Sequence, residues 1–135
     1  MVRDCCLCLH VQRATRSLAR RFDEVLRPFG LTNGQFSLLM SLNRPEPPAM
    51  KPVAALLAMD RTTLTAALKP LERQGLLKIS QDPADRRSRV LLLTSKGRTL
   101  LARAFPVWQQ THREIEEQIP DADPDELRKS LRALS

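Results

Sequence analysis

The spacing of apolar residues changes character at one point along this chain, Gly75. Upstream of it, apolar side chains recur at steps of three and four, as amphipathic helices require. Directly after it, Leu76-Leu-Lys-Ile-Ser80 and Arg89-Val-Leu-Leu-Leu93 are apolar runs too brief for helices. The polar segment Gln81–Ser88 between them carries a Pro turn signal, so the stretch predicts a β-hairpin. Helical spacing resumes behind Thr94, and Leu, 23 of 135 residues, favours helix over sheet for the remainder. A lone hairpin enclosed by helices admits few architectures.

The helices around it have legible ends. Val11, Ala14, Leu18, Phe22, Val25 and Phe29 form the apolar stripe of a first long helix, stopped by Pro28–Gly30. Thr32 predicts an N-cap with Gln35 three residues on, and Leu31 can staple against Phe36, opening a helix to about Leu42. Asn43-Arg-Pro-Glu-Pro-Pro48 cannot continue it, because proline lacks the amide and disfavours helical geometry before it. A short helix is expected from about Pro52 to Ala58. Asp60 then caps another, Arg61 to Gln74, closed by Gly75. Thr94 opens a long helix with Leu101, Ala104, Trp108, Ile115 and Ile119 on one side, bent at Pro106. Asp123-Pro-Asp-Glu126 opens the last, whose apolar face is Leu127, Leu131 and Leu134.

These elements imply a mainly α fold with a small β-hairpin wing: a winged helix-turn-helix with N- and C-terminal dimerisation helices. A chain of this length buries roughly two-thirds of its unfolded surface in one core. Residues 1–135 are therefore expected to be a single domain, with the winged core over about 30–98 and dimerisation helices over about 5–29 and 99–135. The terminal stripes are long for a core the hairpin already closes, and left exposed they exceed the apolar patch a monomer tolerates. Val11, Leu18, Leu101, Trp108, Ile115, Leu127 and Leu131 are the expected contacts of a homodimer.

Charge points to the partner. Residues 1–59 carry 8 basic and 4 acidic side chains, residues 60–98 carry 9 and 4, and residues 99–135 carry 5 and 7. A basic body with a slightly acidic tail suits a polyanion, nucleic acid foremost. Stepping 100° per residue from Arg61, Leu64, Ala67, Leu68 and Leu71 gather on one side, with Thr62, Ala66, Lys69 and Arg73 opposite and Arg61 and Thr65 at the flanks. That is the make-up of a recognition helix: an apolar back, and small or basic residues toward the groove, where threonine meets phosphate or thymine and lysine meets phosphate or guanine. Arg86, Arg87 and Arg89 stand at or beside the hairpin tip, where arginine suits a narrow, strongly negative minor groove. The alternative of another class is a protein-interaction module whose basic face only solubilises it.

Asp60-Arg-Thr-Thr-Leu-Thr-Ala-Ala-Leu-Lys-Pro-Leu-Glu-Arg-Gln-Gly-Leu76, Asp82-Pro-Ala-Asp-Arg-Arg-Ser88 and Leu92-Leu-Thr-Ser-Lys-Gly-Arg98 together resemble the MarR family of bacterial transcriptional regulators, over about residues 7–134. The resemblance implies a homodimer that reads a palindromic operator in double-stranded DNA and acts as a repressor. It implies DNA contacts from Arg61, Thr62, Thr63, Thr65, Lys69 and Arg73 on the helix, and from Arg86 and Arg87 on the wing, with Asp85 orienting Arg87. It also implies a small aromatic or anionic effector in a crevice between dimerisation helices and winged core, for which Arg16, Arg20 and the apolar faces of residues 7–42 are candidates. A proline at position 70 is tolerated in sequences of this type, so the helix is expected to bend there rather than end.

Nothing predicts an enzyme. There is no nucleophile–base–orienter set, Gly-rich phosphate loop or H-E-x-x-H, and His10 and His112 lack ligand spacing, so no cofactor or metal is expected. The longest apolar run, Val53–Met59, falls well short of the about 20 residues that span a bilayer, so no membrane partner is expected. Cys5, Cys6 and Cys8, odd in number and crowded, are no disulfide framework, which favours a reducing cytoplasm. They read as inert thiols, as a thiol-based redox (hydroperoxide) switch, or as a soft-metal sensor. Cys8-Leu-His-Val resembles the cysteine of the family's organic-hydroperoxide-sensing branch, making Cys8 the candidate. In that branch tyrosines of the neighbouring chain hydrogen-bond the sulfur, and this sequence has none.

Overall fold

The computed structural model describes residues 1–135. In chain order it comprises α1 (Val2–Cys5), α2 (Leu7–Leu26), a 3-10 turn (Arg27–Phe29), α3 (Asn33–Ser41), α4 (Met50–Leu56), α5 (Arg61–Arg73), β1 (Leu77–Gln81), β2 (Arg89–Leu93), α6 (Ser95–Glu117) and α7 (Pro124–Arg132). The N-terminal stripe belongs to α2, which ends two residues before Pro28; Phe29 falls in the 3-10 turn, and Gly30 reverses the chain at φ 69°.

α3 is the hub. Its capping box is complete: Thr32 Oγ1 accepts from the Gln35 amide at 3.2 Å, and Gln35 Oε1 accepts from the Thr32 amide at 3.1 Å. Phe36, Leu38, Leu39 and the following Leu42 are buried on several sides, against α2 and α6. Asp23 of α2 reaches across to accept the Asn33 amide at 2.6 Å, and Arg21 ties α2 to Glu114 of α6 at 2.9 Å. The core continues through Val53, Leu64, Leu68, Leu71, Leu77, Leu91 and Leu101 as one apolar cluster.

The hairpin is antiparallel, with Leu77 opposite Leu93 and Ile79 opposite Leu91. The proline-rich stretch does more than interrupt a helix. It lays Ala49 beside Val90 in an isolated antiparallel bridge, and the Pro48 carbonyl accepts the Leu91 amide at 2.9 Å. The short helix expected over Pro52–Ala58 is displaced to Met50–Leu56. Pro52 occupies its first turn, where the missing amide is an orphan anyway, and Ala58 leaves it with φ 52° to make the turn. α5 runs unbroken through Pro70 and α6 through Pro106.

The expected dimer residues divide. Leu101 is 3% exposed and belongs to its own chain's core, which places it beneath the surface a second copy could touch. Trp108 and Ile115 are half-buried against the same core, Trp108 stacking with Phe36 at 5.6 Å and His112 at 4.8 Å between ring centroids. Val11 and Leu18 on α2, and Leu127, Leu131 and Leu134 at the C-terminus, are exposed apolar side chains. No helix is long and apolar enough to cross a membrane.

Candidate nucleic-acid interface

α4 and α5 are joined by a tight turn in which the Met59 amide donates to Ala54 O at 2.9 Å. Asp60 then caps α5, its Oδ1 accepting the Thr63 amide at 2.7 Å. That bond holds the Asp60 carboxyl below its ordinary value, since it favours the charged form. Leu64, Leu68 and Leu71 anchor the helix with no exposed surface. Arg61, Thr62, Thr63, Ala66, Lys69 and Arg73 are exposed and Thr65 is half-buried, as the helical spacing predicts.

Arg61, Thr62, Thr65, Ala66 and Lys69 line a shallow groove of about 350 Å³ along α5. Thr63 and Arg73 lie outside it. A second hollow, about 410 Å³, opens between α4, α5 and the wing, with Met50, Ala54 and Leu64 forming an apolar floor and Lys51, Arg61, Ser88 and Arg89 the rest of its lining. Arg61 is common to both, so α4, α5 and the base of the wing form one continuous surface. Lys51 was not singled out in the sequence; its side chain joins this surface only because Ala49 is pinned to β2.

The wing is held by its own carboxylates. Asp82 N–H donates to Ser88 O, and Ser88 N–H to Asp85 O, both at 3.0 Å. Asp82 Oδ1 accepts the Ala84 amide at 2.9 Å, and Asp85 Oδ1 the Arg87 amide at 3.0 Å, turns that aspartate characteristically makes. Asp85 thus holds the backbone of Arg87 and makes no ion pair with its guanidinium. Arg86, Arg87 and Arg89 are all exposed.

This economy extends over the whole winged segment. Residues 60–98 contain four carboxylates, Asp60, Glu72, Asp82 and Asp85, and each accepts a backbone amide: those of Thr63, Ile79, Ala84 and Arg87. None pairs with a cation. Every ion pair of the chain lies instead in the terminal helices, where Glu114 takes Arg21, and Glu116 and Asp125 together hold Arg128. The cations of the reading surface are left without ion-pair partners. Residues so placed can meet a polyanion without first breaking an internal bond.

The thiols lie near the N-terminus. Cys6 caps α2, its sulfur accepting the Leu9 amide at 3.5 Å, while Cys8 is exposed with Gln12 Nε2 at 3.4 Å. The candidate effector residues Arg16 and Arg20 are exposed as well, and Arg20 borders an open, wholly polar hollow with Ser17 and Glu24. The apolar lining lies elsewhere: an open hollow of about 360 Å³ bounded by Phe36, Leu57 and Trp108 shares Met40 and Phe105 with one of about 420 Å³ that ends at Asn43 and Arg98.

A two-helix unit with an exposed, cation-bearing second helix, flanked by a basic hairpin, defines a winged helix-turn-helix DNA-binding protein. The chain belongs to the MarR family of transcriptional regulators. The MarR family model matches residues 31–88. The M. tuberculosis transcriptional regulator MosR in complex with DNA superposes with a TM-score of 0.85 at 35% identity, over 96% of this chain and 92% of that one. The transcriptional repressor CouR bound to a 23-mer DNA duplex does so with a TM-score of 0.82 at 32% identity, over 95% and 91%. The HTH-type transcriptional regulator BilQ of Clostridioides difficile is 26% identical over 112 residues, 83% of this chain and 76% of that protein.

Proposed function

We propose that this chain is a cytoplasmic homodimeric repressor that grips a palindromic operator with α5 in the major groove and the wing tip in the minor groove. The observation that carries the reading is the assignment of all four carboxylates between residues 60 and 98 to backbone amides, which leaves Arg61, Lys69, Arg73, Arg86, Arg87 and Arg89 without ion-pair partners. Val11, Leu18, Leu127 and Leu131 supply the apolar surface a second copy covers. Selection of bound duplexes from a random pool tests the proposal. It expects a palindrome whose affinity falls steeply with salt, as phosphate contacts require. An interaction module with a merely solubilising basic face yields no enriched sequence.

Release is assigned to the joined hollows around Met40 and Phe105. Their aromatic wall and the single cation Arg98 at one end fit a small aromatic anion, ring inward and acid group outward. The hollows touch α3, α6 and the α4–α5 turn, so an occupant that shifts any of these alters the set of α5. Thiol release is the second reading, favoured by the grouping of Cys6, which caps α2, with the exposed Cys5 and Cys8. Treating wild type, Cys6→Ser and Cys8→Ser with an organic hydroperoxide separates the two: a thiol switch releases the operator in wild type and fails to do so in one variant, whereas an aromatic-acid switch is released by the hydroperoxide in none of the three.

A further inference from the structure

In α5 the Thr65 hydroxyl is engaged within the helix: Oγ1 donates to the Arg61 carbonyl at 2.8 Å. Its one proton is spent within the helix. Thr65 therefore offers the groove a Cγ2 methyl and no hydroxyl proton, and next to it stands Ala66, whose entire side chain is a methyl. Both line the shallow groove of α5, with the unpaired cations Arg61 and Lys69 at its two ends. The centre of the reading surface is therefore apolar and the flanks are charged.

In the major groove one base carries an apolar group, the C5-methyl of thymine. Phosphates and guanine edges are matched by Arg61 and Lys69, whereas two neighbouring methyls cannot satisfy an amine or carbonyl on a base edge. We infer that Thr65 and Ala66 form a reader of the thymine methyl, so that each operator half-site contains a thymine at the position facing them. The inference rests on the DNA-binding reading above and deepens it. Thr65 discriminates through its methyl, and its hydroxyl serves the helix.

The test uses the full-length protein and an operator selected from a random duplex pool. Each thymine of the half-site is replaced in turn by deoxyuridine, which lacks only the C5-methyl. One thymine per half-site is expected at which the replacement weakens binding about fourfold, the worth of one methyl removed from water. Thr65→Val, which keeps a methyl and discards the hydroxyl, retains this discrimination. Thr65→Ser, which keeps the hydroxyl and discards the methyl, loses it. Far-UV dichroism and salt-dependent binding to unrelated DNA confirm that both variants are folded and still engage phosphate. No sensitive thymine, persistent discrimination in Thr65→Ser, or its loss in Thr65→Val overturns the inference while leaving a DNA-binding regulator. Failure to enrich any palindrome overturns the regulator reading, and this inference with it.

Discussion

Gly97, in the first turn of α6, lies against the main-chain carbonyl of Leu76, the residue that follows Gly75. A Cβ at position 97 would be driven into the Leu76 oxygen and would stand 2.9 Å from Leu93 Cδ1. Around this contact Thr94 Oγ1 donates to Gly75 O at 2.6 Å, Thr94 N–H to Leu76 O at 3.1 Å, and Lys96 Nζ to Gln74 O at 2.8 Å. The end of the recognition helix, the root of the wing and the start of the long terminal helix thus meet at one point.

Gly97→Ala is expected to destabilise the protein by about 1–3 kcal/mol, the usual cost of overpacking. In an unobstructed helix the same change would stabilise by about 0.5–1 kcal/mol. Thermal unfolding gives the sign directly, and a raised Tm would show that the junction has room to yield.

Lys69→Ala and Arg87→Ala should each weaken operator binding by about 1–3 kcal/mol per half-site. Both side chains are exposed and make no hydrogen bond within the chain, so stability should change by no more than about 0.5 kcal/mol. Titration of labelled operator, with parallel denaturant unfolding, separates the two effects. Undiminished binding by Arg87→Ala would exclude the wing from the contact.

The divided dimer residues make opposite predictions. Leu131→Asp places a charge on an exposed face of α7 and should shift sedimentation from about twice the 15.3 kDa chain mass toward that of one chain, with helical dichroism kept. Leu101→Ala empties part of a protomer's own core and should cost about 2–5 kcal/mol of stability. A monomeric wild type at micromolar concentration would refute the dimer.

Asp60 couples the recognition helix to pH. Its folded carboxyl titrates below the ordinary 3.8, chiefly because the Thr63 amide binds the charged form. The capping contribution is therefore complete above the unfolded value and is lost as pH falls through the lower folded one. Asp60→Asn keeps an acceptor without the titration. An NMR titration of the Thr63 amide should show an inflection below pH 3.8 in wild type and none in the variant.

The sequence alone determined everything whose cause is local. Thr32 with Gln35, Asp60, Thr94 and Asp123 cap helices by reaching amides two or three residues away, and all four caps are present. The change of apolar period at Gly75 placed the hairpin, and helical spacing alone sorted Leu64, Leu68 and Leu71 from Thr62 and Lys69. Relations between residues remote in sequence were decided by tertiary structure. Leu101 continues a stripe that looks intermolecular, yet α6 turns it into its own core. Lys51 reaches the reading surface because Pro48 and Ala49 bridge to β2 across some forty residues. Glycine at 97 reads as a weak helix former until Leu76 is set against it. A one-dimensional pattern records the geometry of a single turn or strand, whereas burial, bridging and close approach depend on which elements the core brings together.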